Sequence, residues 1–259
     1  MDKIIMKNSL ELKEKYNSIY KDGAKNFFAL GNGLREASSI VQSYNWTNKE
    51  VLDIECGEGA MASMICEAGA SRVVGVDYSV EAINNAKAKF DLPNLIFLNS
   101  DYRQVQEKFD IITMQGVMEH FDDPWGELKN IINNLLSHEG IVITSSPSFL
   151  NPRGYVWMTL AKLFNVPMSL TDLHFICPFD MINFCKSNNY KLQYESIHQD
   201  WGCGKHMLKD LHKRLTNALR DAKMDNSNVD DLLTWMSQAS RFFTQNNESG
   251  AIVIYRITK

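Results

Sequence analysis

The chain has no excess of positive charge, no long apolar run and no paired cysteines, and each gap removes a class of function. Its 27 lysines and arginines are outnumbered by 31 aspartates and glutamates, giving a formal net charge of −4 and a pI near 5.9. Such a chain exerts no long-range attraction on a phosphate backbone. It also lacks any basic run interleaved with aromatics, so nucleic acid is not an expected partner. Nothing approaches the run of about eighteen apolar residues that a membrane span requires. Met1–Lys7 is too poor in apolar residues for a signal peptide, and the expected location is the cytoplasm. The five cysteines, at 56, 66, 177, 185 and 203, are odd in number and unpatterned, so free thiols in a reducing compartment are expected. Cys203-x-x-His206 has metal-like spacing, but no second pair follows and no metal site is expected. There is no internal repeat or low-complexity tract.

What is present is enough apolar material, 44% of 259 residues, for one domain with insertions. Its organising stretch is Val51-Leu52-Asp53-Ile54-Glu55-Cys56-Gly57-Glu58-Gly59-Ala60, an apolar strand running through two glycines into a helix of small residues. Glycines let the backbone bend sharply and approach a ligand closely, and the N–H groups at the following helix start attract an anion. Gly57-x-Gly59-x-x-Ala62 formally satisfies the dinucleotide fingerprint, which alone is a weak signal. Asp53 inside the strand narrows the choice. A carboxylate there suits a ligand with an ammonium beside its own carboxylate, such as the methionine part of S-adenosylmethionine, and would repel a pyrophosphate. About twenty residues further on, the strand Arg72-Val73-Val74-Gly75-Val76 ends in Asp77, placed to accept both hydroxyls of a ribose.

With these residues the chain resembles the class I S-adenosylmethionine-dependent methyltransferases, in particular the ubiquinone-biosynthesis-like group acting on small molecules. Phe109-Asp110-Ile111-Ile112-Thr113 is similar to that family's fourth strand. Glu119-His120-Phe121-Asp122-Asp123-Pro124 resembles its Glu-His…Asp-Pro segment, and Gly140-Ile141-Val142-Ile143-Thr144…Pro147 its fifth strand. The likeness covers roughly residues 48 to 198. It implies an α/β fold: a Rossmann-like, doubly wound, mixed seven-stranded sheet with its last strand antiparallel, an N-terminal helical cap (1–46) and a methyltransferase domain (47–259).

The resemblance also implies a cofactor site of Asp53, Glu55, Cys56, Gly57, Gly59, Asp77, Tyr78, Ser79, Asp101, Tyr102, Gln115 and Gly116. Asp101 would accept from the adenine amino group, with its neighbour flanking the ring, and Gln115 and Gly116 would touch the methionine portion. One position departs from the pattern, since the family has glycine where this chain has Glu55. Strand alternation places Val51, Asp53 and Glu55 on one side, so both carboxylates are expected to face the methionine end of the cofactor.

Strands are expected near 50–56, 72–77, 95–99, 109–115, 140–145, 190–198 and 251–257. Helices are expected over Leu34–Tyr44, Ala60–Ala68, Val80–Phe90, Pro124–Ser137, Val156–Phe164 and Asp180–Ser187, with a capping box at Asn8-x-x-Glu11 opening an earlier one. Tyr16, Tyr20, Phe27 and Phe28 are candidates for the entrance to the site. Asn151, Arg153, Tyr155 and His174 are the polar residues expected to meet a substrate beyond the fifth strand. Residues 200–248 interrupt the family's short link. Leu208, Leu211, Leu215, Leu219 and Ala222, then Val229, Leu232, Leu233, Met236 and Phe243, repeat at helical spacing around the turn Asp225–Asn228, which predicts a helical hairpin with an apolar face. It would cover the site, or pair two chains as a homodimer.

Methyl transfer needs alignment and exclusion of water, and an oxygen acceptor also needs a base. His120 and His174 are the candidates. The expected activity is transfer to an oxygen or nitrogen of a small molecule, a sugar or sugar nucleotide of a surface glycan among the options. A cofactor-binding partner subunit without catalysis and a nicotinamide oxidoreductase are the alternatives.

Overall fold

β-branched residues concentrate in short runs that are buried on both sides, the pattern of a parallel sheet covered by helices. A computed structural model describes residues 32–166 and 173–259 and shows that arrangement. The helix expected after Asn8 and the four aromatics at 16, 20, 27 and 28 lie outside the described residues. The strands are β1 (Glu50–Ile54), β2 (Arg72–Asp77), β3 (Leu95–Asn99), β4 (Phe109–Gln115), β5 (Leu136–Pro147), β6 (Lys191–Ile197) and β7 (Ile252–Thr258). They form one sheet in the order β3-β2-β1-β4-β5-β7-β6. β7 lies antiparallel between β5 and β6, while the pairings among β1 to β5 are parallel.

The helices are α1 (Asn32–Gln42), α2 (Ala60–Glu67), α3 (Val80–Lys89), α4 (Pro124–Asn134), α5 (Pro152–Phe164), α6 (Pro178–Asn188), α7 (Gln199–Cys203), α8 (Lys205–Asp221) and α9 (Val229–Ala239). One face of the sheet, with Val51, Val73, Ile111 and Ile143, packs on Ala37 and Ile40 of α1, Ile65 of α2 and Ile83 of α3. The opposite face, with Leu52, Val74, Ile112 and Val142, packs on Leu128 and Ile132 of α4 and Met181 of α6. Alternation along each strand feeds both layers.

Several boundaries move. β1 stops at Ile54 because Glu55 turns left-handed, at φ 55°. α4 ends at Asn134 and β5 begins at Leu136, four residues before its expected start, where Leu136 pairs with Phe109 across an irregularity in register.

The long link between β6 and β7 is the helical hairpin expected, preceded by the short α7. Leu211, Leu215 and Leu219 of α8 and Val229, Leu233 and Met236 of α9 close over Phe149 and over Trp157 of α5 in a third apolar cluster. Leu208 is only half-buried, and Leu232 is 37% exposed. Arg153, expected to meet substrate, is instead buried in this packing. Its Nε lies 2.7 Å from Asp210 Oδ2, and its guanidinium stacks over Trp201 at 5.1 Å. Gly202 allows α7 to press on the chain before β7, since a Cβ there would stand 2.2 Å from the Ser249 carbonyl oxygen.

Candidate active site

β1, β2, β4 and β5 deliver their carboxyl ends to one edge of the sheet, where ligands of such folds bind. The turn after β1 coils through three left-handed residues at alternate positions: Glu55 (φ 55°), Gly57 (φ 54°) and Gly59 (φ 80°). Gly59 has no substitute, because a Cβ would lie 2.4 Å from the Phe97 ring. Glu58 steadies the turn from outside, accepting from Asn85 Nδ2 at 3.0 Å and pairing with Lys89, both on α3.

Asp77 closes the turn against the end of β2. Its Oδ2 accepts from the Gly57 N–H at 2.9 Å and its Oδ1 from the Ser79 N–H at 2.7 Å. Each oxygen keeps a second lone pair. Burial raises the Asp77 pKa, and the two backbone donors counter that rise. Ser79 in turn caps α3, accepting from the Ala82 N–H, and Tyr78 stands half-buried between them.

Asp53 is 1% exposed. Its Oδ1 accepts from Thr113 Oγ1 at 2.7 Å, but its Oδ2 is buried with no partner among the described residues. Burial, with a smaller push from Asp77, raises its pKa to about 7 against the pull of Thr113. The same crowd of acids, with burial first, holds the Cys56 thiol well above its ordinary range. An orphaned buried carboxylate oxygen is rare in native proteins and calls for a donor. A ligand ammonium beside the turn would supply one, so these residues fit the amino-acid end of S-adenosylmethionine.

Two expectations need correction. Glu55 lies beyond the end of the strand and left-handed, so alternation does not carry its side chain to the side of Asp53; the turn geometry also explains why glycine suits this position. The Tyr102 ring is turned into the core. It is 4% exposed, packs on Phe121 at 5.7 Å and hydrogen-bonds Glu127. Asp101 caps the short helical turn that follows, accepting from the Arg103 N–H at 2.9 Å and pairing with its guanidinium at 3.0 Å.

One backbone carbonyl ties the His174 segment to the His120 segment. His120 follows Glu119, whose carbonyl accepts from the N–H groups of Leu173 at 2.8 Å and His174 at 3.1 Å. The loop before α6 is thereby strapped beside the end of β4. Gly116, left-handed at φ 62°, donates its N–H to Ser145 O at 3.1 Å. Gln115 reaches the other way, donating through Nε2 to Gly33 O at 2.9 Å.

That bond sets the first turn of α1 over the ends of β4 and β5, and it brings in Glu36, which sequence reasoning missed. Its carboxyl lies against Ser145 and Gln115, and burial raises its pKa over the lowering effect of both. The surface of α1 gave no signal for this, since Glu36 reads as one polar residue of an amphipathic helix. Among the other expected substrate residues, Asn151 is the N-cap of α5, and Tyr155 stands 62% exposed.

A sheet of this order, with an acid inside β1, a left-handed glycine turn and an acid ending β2, defines the class I S-adenosylmethionine-dependent methyltransferases. The family model for a methyltransferase domain matches residues 32–196, and the chain belongs to that family. It is 28% identical to a ubiquinone biosynthesis O-methyltransferase of Neisseria meningitidis serogroup C, over 53% of this chain and 62% of the relative. It is also 28% identical to the mitochondrial ubiquinone biosynthesis O-methyltransferase of Schizosaccharomyces pombe, over 70% and 72%. The match thus spans about 62% of the Neisseria relative's length. Solved structures agree in fold. The complex of the Haloferax volcanii Trm112 methyltransferase activator and the putative methyltransferase contains a chain with TM-score 0.62 and 14% identity, covering 94% of this chain and 96% of that one. A cyclopropane synthase of Mycobacterium tuberculosis gives TM-score 0.56 at 15% identity, covering 86% and 82%.

Proposed function

We propose that this protein transfers a methyl group from S-adenosylmethionine to a hydroxyl of a small molecule. The observation that carries the reading is the buried Asp53 Oδ2 beside the glycine turn, without a partner among the described residues, in a chain of the methyltransferase family. The cofactor supplies a methyl group activated on a sulfonium. Asp53 would take its ammonium, the turn of Gly57 and Gly59 its carboxylate, and Asp77 its ribose hydroxyls through the remaining lone pairs. Gln115 and Gly116 would border the methionine portion, and Asp101 would face the adenine.

The names of the relatives favour oxygen over nitrogen as acceptor and lend nothing to a sugar or sugar nucleotide. An attacking hydroxyl must lose its proton, and the candidates to take it are His120, His174, whose backbone N–H is held by the Glu119 carbonyl, and Glu36, whose carboxyl lies against Gln115. The hairpin would shield the site from water.

Calorimetry with S-adenosylhomocysteine and with NAD tests the cofactor, and binding of NAD alone would overturn the reading. Radiolabelled methyl transfer into a fractionated bacterial extract tests the activity. Tight binding of S-adenosylhomocysteine with no labelled product in any fraction would make the protein a cofactor-binding partner subunit instead.

A further inference from the structure

The hairpin builds a second concavity, away from the glycine turn. It lies beyond β5 and β7, between the start of α5, α9 and the segment leading into β7, and is an open groove of about 630 Å³. That is the size of a pocket for one small molecule. Its walls are apolar: Tyr155 and Val156 of α5, Leu232, Trp235 and Met236 of α9, and Phe242 after it. Three of these aromatics are open to water, Tyr155 at 62%, Trp235 at 64% and Phe242 at 82%. Large apolar side chains gathered around one hollow, rather than scattered, mark a surface that binds something.

The chemistry of the lining narrows the occupant. Among the described residues it contains no lysine, arginine or histidine, and its one carboxylate is Glu248, so a phosphate or carboxylate would meet no counter-charge from them. The polar wall is satisfied within itself. The Asn246 N–H donates to Ser249 Oγ at 2.9 Å, Ser249 Oγ donates back to Asn246 O, and the Glu248 N–H donates to Asn246 Oδ1 at 2.8 Å. No buried polar group of that wall waits for a ligand donor.

The hollow is also preformed. Asn151, 2% exposed, ties the start of α5 to the far wall by donating to Gly250 O at 2.8 Å, and the Arg153–Asp210 pair fixes α5 to α8.

We propose that this groove is a binding site for an uncharged ligand with an aromatic or hydrocarbon body. The site is made by the helical insertion and is independent of the cofactor turn. Aromatic faces and aliphatic walls hold such a body by area and stacking, and Glu248, the charged group among the described lining residues, disfavours an anion. A nucleotide sugar does not fit it.

A matched pair of probes tests this on the full chain: neutral N-phenyl-1-naphthylamine, and its sulfonated relative 8-anilinonaphthalene-1-sulfonate, followed by their emission. The neutral probe is expected to bind saturably at one per chain and at least about tenfold tighter than the sulfonate, a difference of about 1.4 kcal/mol. Trp235→Ala and Phe242→Ala, at exposed positions, should each weaken it about tenfold. S-adenosylhomocysteine affinity and the melting temperature should not change. Phe179→Ala, at an exposed aromatic of α6 outside the groove, should leave probe binding as it is. Failure of the neutral probe to saturate, equal affinity for the sulfonate, or unchanged binding in both groove variants would overturn the assignment. None of these results depends on whether methyl transfer is found.

Discussion

At the scale of single residues, Asp53 carries the sharpest pH dependence. Its folded pKa near 7 lies above the unfolded value, so the folded state binds the extra proton. The stability this gives is fully present below about pH 4 and is lost as pH rises through 7. A cationic ligand beside it reverses the balance by favouring the carboxylate. Affinity for S-adenosylmethionine is therefore expected to rise between pH 5.5 and 7.5 with release of a proton, and Asp53→Asn should flatten the profile. Calorimetry in buffers of different ionisation enthalpy measures the proton directly, and zero release at pH 6.5 would dismiss this role. Asp77→Ala should weaken S-adenosylhomocysteine by about 1–3 kcal/mol. It should also loosen the turn, because Gly57 and Ser79 lose their acceptor, and Asp77→Asn keeps only one of the two acceptors, so the melting temperature is read beside the affinity in both variants. Glu55→Gly removes a left-handed non-glycine residue whose cost of roughly 1–2 kcal/mol is partly offset by the entropy glycine loses. Urea unfolding should show a gain of about 0.5–1 kcal/mol, and a loss would mean the Glu55 side chain stabilises the turn.

At the scale of elements, the strand ends and the glycine turn were legible because their requirements are local. Asp53 and Asp77 were readable for the same reason, each fixed by its place in a short apolar run. Glu36 and the backbone tie of residues 173–174 to Glu119 were not, since each depends on segments far apart in sequence meeting at one strand end. Nor was the role of Arg153 visible. It sits in the loop where substrate residues are usual, yet its partner Asp210 lies 57 residues on. That pair is nearly buried, at 4% and 13% side-chain exposure, so Asp210→Ala leaves a guanidinium without its counter-ion. A loss of about 3–5 kcal/mol is expected in chemical denaturation. Arg153→Met combined with Asp210→Leu should recover most of it, and a double variant no better than the single would show that packing, not charge, binds α5 to α8.

At the scale of the whole molecule, the two sheet-facing clusters are complete without the insertion, because Leu52, Val74, Ile65 and Ile132 find their partners in the sheet and in α1 to α4 and α6. The third cluster is different. Phe149 and Trp157, 2% and 0% exposed, are covered chiefly by α8 and α9. The hairpin therefore buries one side of α8 and α9 inside its own chain, while Trp235 and Phe242 stay exposed. Replacing residues 205–245 by a short turn should leave the sheet intact and S-adenosylhomocysteine affinity within about threefold, since the hydrogen bonds of the turn and of Asp77 run to β2 and α3 rather than to the hairpin. It should also uncover Trp157, shifting tryptophan emission to the red and lowering the melting temperature. Because burying an aromatic of this size is worth about 2–3 kcal/mol, the shortened protein should also self-associate at high concentration unless Trp157 is made polar. Methyl transfer should be lost in the monomeric, Trp157-corrected form. Transfer retained there, with a changed oligomeric state as the sole consequence, would show that the hairpin serves assembly and that the site is closed by other parts of the chain.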